Sequence, residues 1–103
     1  MVVNPQPQKI TTMNATIIVP LGVLVATPNA LAHVNPAEIQ RALQRHVTGD
    51  WGDLSVDDKK ANDLALQTGE RLLSAYQSAT GTKFWIITEA DRSSTCILLP
   101  EDY

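Results

Sequence analysis

Three side chains of this sequence, His46, Glu89 and Arg92, are of the types that a reaction at a phosphate needs: a base, an acid and a positive group. A phosphodiester attacked by its own 2′-hydroxyl is the chemistry such a set serves. A structural account of each stands beside this one. His46 falls at the end of an expected helix, where the dipole favours a histidine and where it packs half-buried against Trp51; this is the preferred reading. Arg92 lies in the string Ala90-Asp-Arg-Ser93, whose Asp and Ser suit a turn and whose Arg has Glu89 and Asp91 as ready partners. The sharper alternative is that Glu89, Asp91, Arg92 and Thr95 form one polar cluster at an end of a sheet, suited to an anion or to a partner's backbone.

A second group is Asp50-Trp-Gly-Asp53. For Trp51 the preferred reading is the core, with its indole N–H pinning a turn; its Gly and Asp neighbours also fit a surface turn where the ring meets a base or a protein partner. Asp50 and Asp53 are two carboxylates with no further ligand pattern, so no metal is expected. No cofactor motif is present. Cys96, the single cysteine, stands in the apolar run Thr95-Cys-Ile-Leu-Leu99 and reads as a small buried hydrophobe, because such neighbours raise a thiol pKa. His33 has no companion and is expected at the surface, without a role.

These residues need a scaffold, and periodicity supplies one. Residues 21–26 are mostly aliphatic, with β-branched Val23 and Val25, and read as a short strand; Thr27-Pro28 then fits an N-cap and first helical residue. Asn35-Pro-Ala-Glu38 opens a helix over 36–48, with Ile39, Ala42, Leu43 and His46 or Val47 at helical spacing and Gly49 to close it. Ser55-x-x-Asp58 caps a second helix that carries a thin apolar stripe and ends at Gly69. Beyond Gly69 the period becomes that of strands, over 71–77, 83–89 and 95–99, joined by short connections that select hairpins. The expected fold class is therefore α+β, two helices packed on a three- to four-stranded antiparallel β-meander. Phe84-Trp-Ile-Ile87 is apolar on both faces, so the middle strand should be covered on both sides, or on one side by a partner. Open outer edges of such a sheet allow a homodimer.

The chain has 103 residues, 44% of them hydrophobic, enough for one modest core. Its net charge of −3 argues against a generic DNA binder, though not against a nuclease with a locally basic groove. The polar, proline-containing leader assigns residues 1–13 to a flexible extension and 14–103 to a single domain. Lys9, the apolar stretch 15–26 and Ala30-Leu-Ala32 imitate a signal peptide cleaved after Ala32. Pro20, Gly22 and the single preceding positive charge favour a cytoplasmic chain instead. The stretch is too short and interrupted to span a membrane.

The strings Gly49-Asp-Trp-Gly-Asp-Leu54, Arg71-Leu-Leu-Ser-Ala-Tyr76, Trp85-Ile-Ile-Thr-Glu-Ala-Asp-Arg-Ser93 and Leu98-Leu-Pro-Glu-Asp-Tyr103 resemble a family of small proteins carried on bacterial plasmids and integrated mobile elements. The resemblance takes in residues 21–31 as well. It implies a protein of a mobile element. With the acidic balance and the missing cofactor motifs, the expected function is that of an accessory protein that binds another protein, in host-defence interference or plasmid maintenance, through the Trp51 turn and the polar end of the sheet: Asp50, Trp51, Asp53, Asp91 and Arg92. In arrangement, a helix with a His followed by a meander with Arg and Ser or Thr, the chain is more distantly similar to the barnase/EndoU/RelE-like small RNases. That similarity implies a metal-independent RNase, with RNA as partner and His46, Glu89, Arg92 and Ser94 or Thr95 as catalytic residues.

Overall fold

The computed structural model describes residues 19–103; the expected extension 1–13 and most of the leader-like stretch lie outside them. The elements follow in the order β1 (Val23–Ala26), α1 (Pro28–His33), α2 (Pro36–Val47), α3 (Val56–Thr68), β2 (Leu72–Gln77), β3 (Lys83–Thr88), β4 (Ser94–Leu98) and a 3-10 turn, Pro100–Asp102. This is an α+β fold.

Each helix begins where a side chain can satisfy a free amide. Thr27 Oγ1 accepts from the Ala30 N–H, Asn35 Oδ1 from Ala37 and Ser55 Oγ from Asp58, and proline follows the first two caps. Gly69 closes α3 in the left-handed conformation. The β2–β3–β4 meander is antiparallel as expected, with Ser74 opposite Ile86 and Ile87 opposite Cys96.

Two differences from expectation concern the N-terminal part. The helical turn after Thr27 is a helix of its own, so three helices accompany the sheet. The sheet is mixed, because β1 joins at the β4 edge and runs parallel to it, giving the order β1-β4-β3-β2. The three helices that separate β1 from the meander carry the chain back, so β1 arrives in the direction of β4.

Alternation along the strands sorts the sheet into two faces. Leu72, Ser74, Tyr76, Phe84, Ile86, Thr88, Thr95 and Ile97 share one face and are buried. Ala30, Val34, Ile39 and Ala42 from α1 and α2 pack on its Tyr76, Phe84, Ile86 and Ile97. Trp51, Ala65 and Val19 pack on Leu72 at its other end. Both core clusters take their strand residues from this face only. On the opposite face Leu73, Ala75, Trp85 and Cys96 are half-buried while Ile87 and Leu98 are buried, with Tyr103 set against Trp85 at 5.9 Å between ring centroids. So β3 is covered by the α-helices on one side, and on the other it meets the C-terminal 3-10 turn and Tyr103.

The outer edge of β2 is closed. Asn62 of α3 imitates a strand there, donating to the Leu73 carbonyl at 2.6 Å and accepting from its N–H at 3.2 Å. The turn after α2 continues the closure, with Ala75 N–H donating to the Trp51 carbonyl and Asp53 N–H to the Ala75 carbonyl. Gly52 lies between them at φ 76°, and a Cβ on it would collide with the Ala75 carbonyl oxygen and the Tyr76 ring. Gly52→Ala is expected to lower stability by roughly 2 kcal/mol or more, through the left-handed conformation and the collision together. Urea denaturation measures it; a loss under about 0.5 kcal/mol, the range of an ordinary surface substitution, contradicts the assigned turn.

Candidate functional site

The stripe Ile39, Ala42, Leu43 and His46 turns α2 toward the sheet and carries the imidazole into the interior, where His46 is 0% exposed. The half-buried position expected from sequence is corrected to a fully buried one. Both ring nitrogens have partners: Ser74 Oγ on β2 lies 2.5 Å from Nδ1 and Thr88 Oγ1 on β3 lies 2.8 Å from Nε2. Thr88 Oγ1 is in turn 2.7 Å from Thr95 Oγ1 on β4, which donates to the Leu21 carbonyl at 2.8 Å.

That last bond sets the direction of the others. Because the Thr95 hydroxyl gives its proton to Leu21, it accepts from Thr88. Thr88 then accepts from His46 Nε2–H, which leaves Nδ1 to accept from Ser74. The network thus assigns a neutral imidazole with its proton on Nε2. Trp51 stands edge-on to the ring at 5.7 Å, its indole N–H donating to Asp63 at 2.9 Å.

Burial pushes the His46 pKa down to about 4, and the Arg92 charge adds to the effect. The last helical turn of α2 favours a cation, by up to about 2 kcal/mol in partly buried sites. At His46 desolvation outweighs it. Tyr76, whose hydroxyl donates to the Asp50 carbonyl at 2.7 Å, is pushed up to about 12 by burial.

The other candidate residues do not converge on His46. Arg92 adopts φ 61°, a left-handed conformation that costs a non-glycine residue energy. Its guanidinium is held by backbone carbonyls: Nη1 donates to Glu70, Glu89 and Ala90, and Nη2 to Ala65 near the end of α3. It therefore joins the β3–β4 hairpin to the α3 terminus. The Glu89 carboxylate pairs instead with Arg71 at 3.4 Å, and Asp91 accepts from the Ser93 N–H within the turn. Ser94 is half-buried and faces away from Thr95, as neighbours in a strand must. Of the five residues in the nuclease set, only His46 and Thr95 share a network, and Thr88 joins them.

At the Trp51 turn the preferred core reading holds and the surface alternative does not. Trp51 is 3% exposed and belongs to the core with Ala65 and Leu72, so its ring is no surface platform. Asp50 pairs with Arg45 at 2.7 Å, both about half exposed. This pairing holds the Asp50 carboxyl below its usual range and is worth at most about 1 kcal/mol in water. The same arginine lies 4.8 Å over the Tyr76 ring.

Asp53 is the exception, because it opens onto a cavity of about 370 Å³ shared with Ala75, Tyr76, Lys83, Trp85 and Pro100. This recess lies at the end of the sheet remote from the Arg92 turn, so Asp53 and the Asp91/Arg92 pair do not form one surface. Cys96 is half-buried on the helix-free face, and burial raises its thiol pKa, as do the charges of Asp102 and Glu89. His33 is exposed, as expected.

Ser74 and Thr88, the partners of His46, escaped the sequence reading. Alternation placed both at inward positions among Leu72, Tyr76, Phe84 and Ile86, and a polar residue there requires a buried partner. His46 on the apolar stripe of α2 was the available one.

In comparisons with protein-family models, curated proteins and solved structures, nothing matches the chain.

The low pKa of His46 makes stability depend on pH. The unfolded chain takes up a proton near pH 6.5 that the folded chain refuses until about pH 4. The contribution is thus complete above pH 6.5 and is lost as pH falls toward 4, by up to about 3 kcal/mol. Urea denaturation across this range should show a slope of one proton that His46→Gln abolishes. A flat profile contradicts the buried neutral imidazole.

Proposed function

We propose that this chain is a non-enzymatic accessory protein of a plasmid or other mobile element, working in the cytoplasm by binding another protein. The observation that carries the reading is that its nuclease-type side chains are held within the fold. His46 has no exposed surface and both its nitrogens are bonded, while the Arg92 guanidinium donates to four backbone carbonyls. A catalytic pair has to reach the substrate's reacting atoms. These two face the protein's own groups.

The recess beside Trp85 is the better contact for a partner. Trp85 and Pro100 give it apolar walls, and Lys83 and Asp53 add opposite charges. Its volume suits one or two side chains of a docking segment. The fitting partner presents a bulky apolar side chain to Trp85, with a hydrogen-bond donor toward Asp53 and a carboxylate or carbonyl toward Lys83. The expected partner surface of Asp50, Trp51, Asp53, Asp91 and Arg92 contracts in this reading to Asp53 and its neighbours in the recess.

The cytoplasmic reading draws on the packing of the N-terminal elements. Cleavage after Ala32 would remove β1 and with it Ala30, which is 0% exposed in the core. Among the described residues no helix is long and apolar enough to cross a membrane.

Capture from a plasmid-bearing host, identification of the bound protein and rebinding of that protein in purified form provide the test. Trp85→Ala should weaken the purified interaction by about 30-fold while the far-UV spectrum is kept. RNA cleavage that disappears in a folded His46→Gln protein would overturn the proposal.

A further inference from the structure

The two edges of the sheet are treated differently. At β2 the outward amides of Leu73 and Ala75 are bonded by Asn62 and by the chain at Trp51 and Asp53. At β1, Val23 N–H donates to the Ser93 carbonyl and Thr27 N–H to the Ile97 carbonyl, so the odd-numbered residues face β4. Leu24 and Ala26 therefore turn their N–H and C=O groups to the open side, where no described residue pairs with them.

Natural sheets guard such an edge with charge, proline or a bulge. None interrupts β1. Its side chains Val23, Leu24 and Val25 are 65%, 50% and 47% exposed, and Leu31 of the following helix is 61% exposed. Between Val19 and Ala37 the only ionisable side chain is His33, in a chain that otherwise alternates charges freely. A strip without charge offers nothing to nucleic acid or to a charged peptide. It does suit a two-fold axis, where every residue near the axis meets its own copy and any charge would face its like.

We propose that the occupant is a second copy of this chain, paired antiparallel along β1 with the two-fold axis at Val25. Residues opposite each other must then lie on the same face of the joined sheet. With the axis at Val25 they do: Leu24 meets the partner's Ala26 in a pair that exchanges both backbone hydrogen bonds, and the symmetric pair repeats it. Val25 meets the partner's Val25 as the non-hydrogen-bonded pair between them, with Cα atoms about 4.5 Å apart. The two sheets become one of eight strands. Leu24 is covered on the helix side and Val25 on the opposite side. This interface is smaller than the roughly 800 Å² per partner of a permanent dimer, so it exchanges with monomer. Nothing in it uses the Trp85 recess, and each proposal can fail without the other.

The test is analytical ultracentrifugation of the full chain from micromolar to millimolar concentration. A monomer–dimer equilibrium is expected, and Val25→Lys should weaken it at least about tenfold by placing two cations at the axis. Val25 is half exposed, so the folded monomer keeps its circular dichroism and melting temperature. A register check uses Val25→Cys in a Cys96→Ser background, since Cys96 neighbours Val25 in the ladder. On mild oxidation the paired cysteines should link covalently, because their separation falls in the disulfide range. A chain that stays monomeric to the highest concentration overturns the proposal, also if residues 1–18 prove to occupy the edge and protect the Leu24 and Ala26 amides. So does a dimer that is indifferent to Val25→Lys and gives no Val25→Cys cross-link.

Discussion

One buried imidazole ties together most of the elements of this fold. His46 hangs from α2, accepts from Ser74 of β2, donates to Thr88 of β3, and through Thr88 and Thr95 reaches β4 and the Leu21 carbonyl just before β1. Each hydrogen bond alone contributes about 1 kcal/mol net. Together they matter more for what their loss exposes: a helix shifted off the sheet would strand several buried polar groups, each costing about 1–3 kcal/mol unpaired. The apolar residues around His46 drive α2 onto the sheet, and the network fixes where on the sheet it sits.

Arg92 has an analogous part at the surface. A strained hairpin residue places a guanidinium where it gathers the carbonyls of the hairpin and of the end of α3. Its delocalised charge contributes to keeping the buried imidazole neutral. The residues that look most like reaction chemistry in the sequence are thus the ones the architecture depends on. What remains free for partners is less conspicuous: the helix-free face around Trp85 and the uncharged edge at β1.

Local signals explain how much of this was legible from residues alone. Asn35-Pro36 and Ser55 announce their helices, Gly69 ends the second, and the β-branched and aromatic runs after it, joined by short turns, yield the three strands of the meander almost residue for residue. The pairing of β1 with β4 is not local. It joins segments some seventy residues apart across three helices, and no turn chemistry or period encodes it. For Trp51 the core reading holds over the surface-turn alternative, again for a reason that is not local. Glycine and aspartate neighbours mark a turn, but this turn lies along the edge of β2, so its backbone extends the sheet and its indole drops into the core. Of the candidate site, His46 and Thr95 were visible by type; the hydroxyls between and beside them required knowing which strand faces meet.

The central claim is that His46 is neutral, protonated on Nε2 and held between two hydroxyls, and long-range proton–nitrogen correlation NMR reads this directly. At pH 7 the spectrum should show the Nε2–H tautomer with a slowly exchanging ring proton, persisting well below pH 6. A ring protonated on Nδ1, or one that titrates near pH 6.5 like a solvent-exposed histidine, would contradict the account.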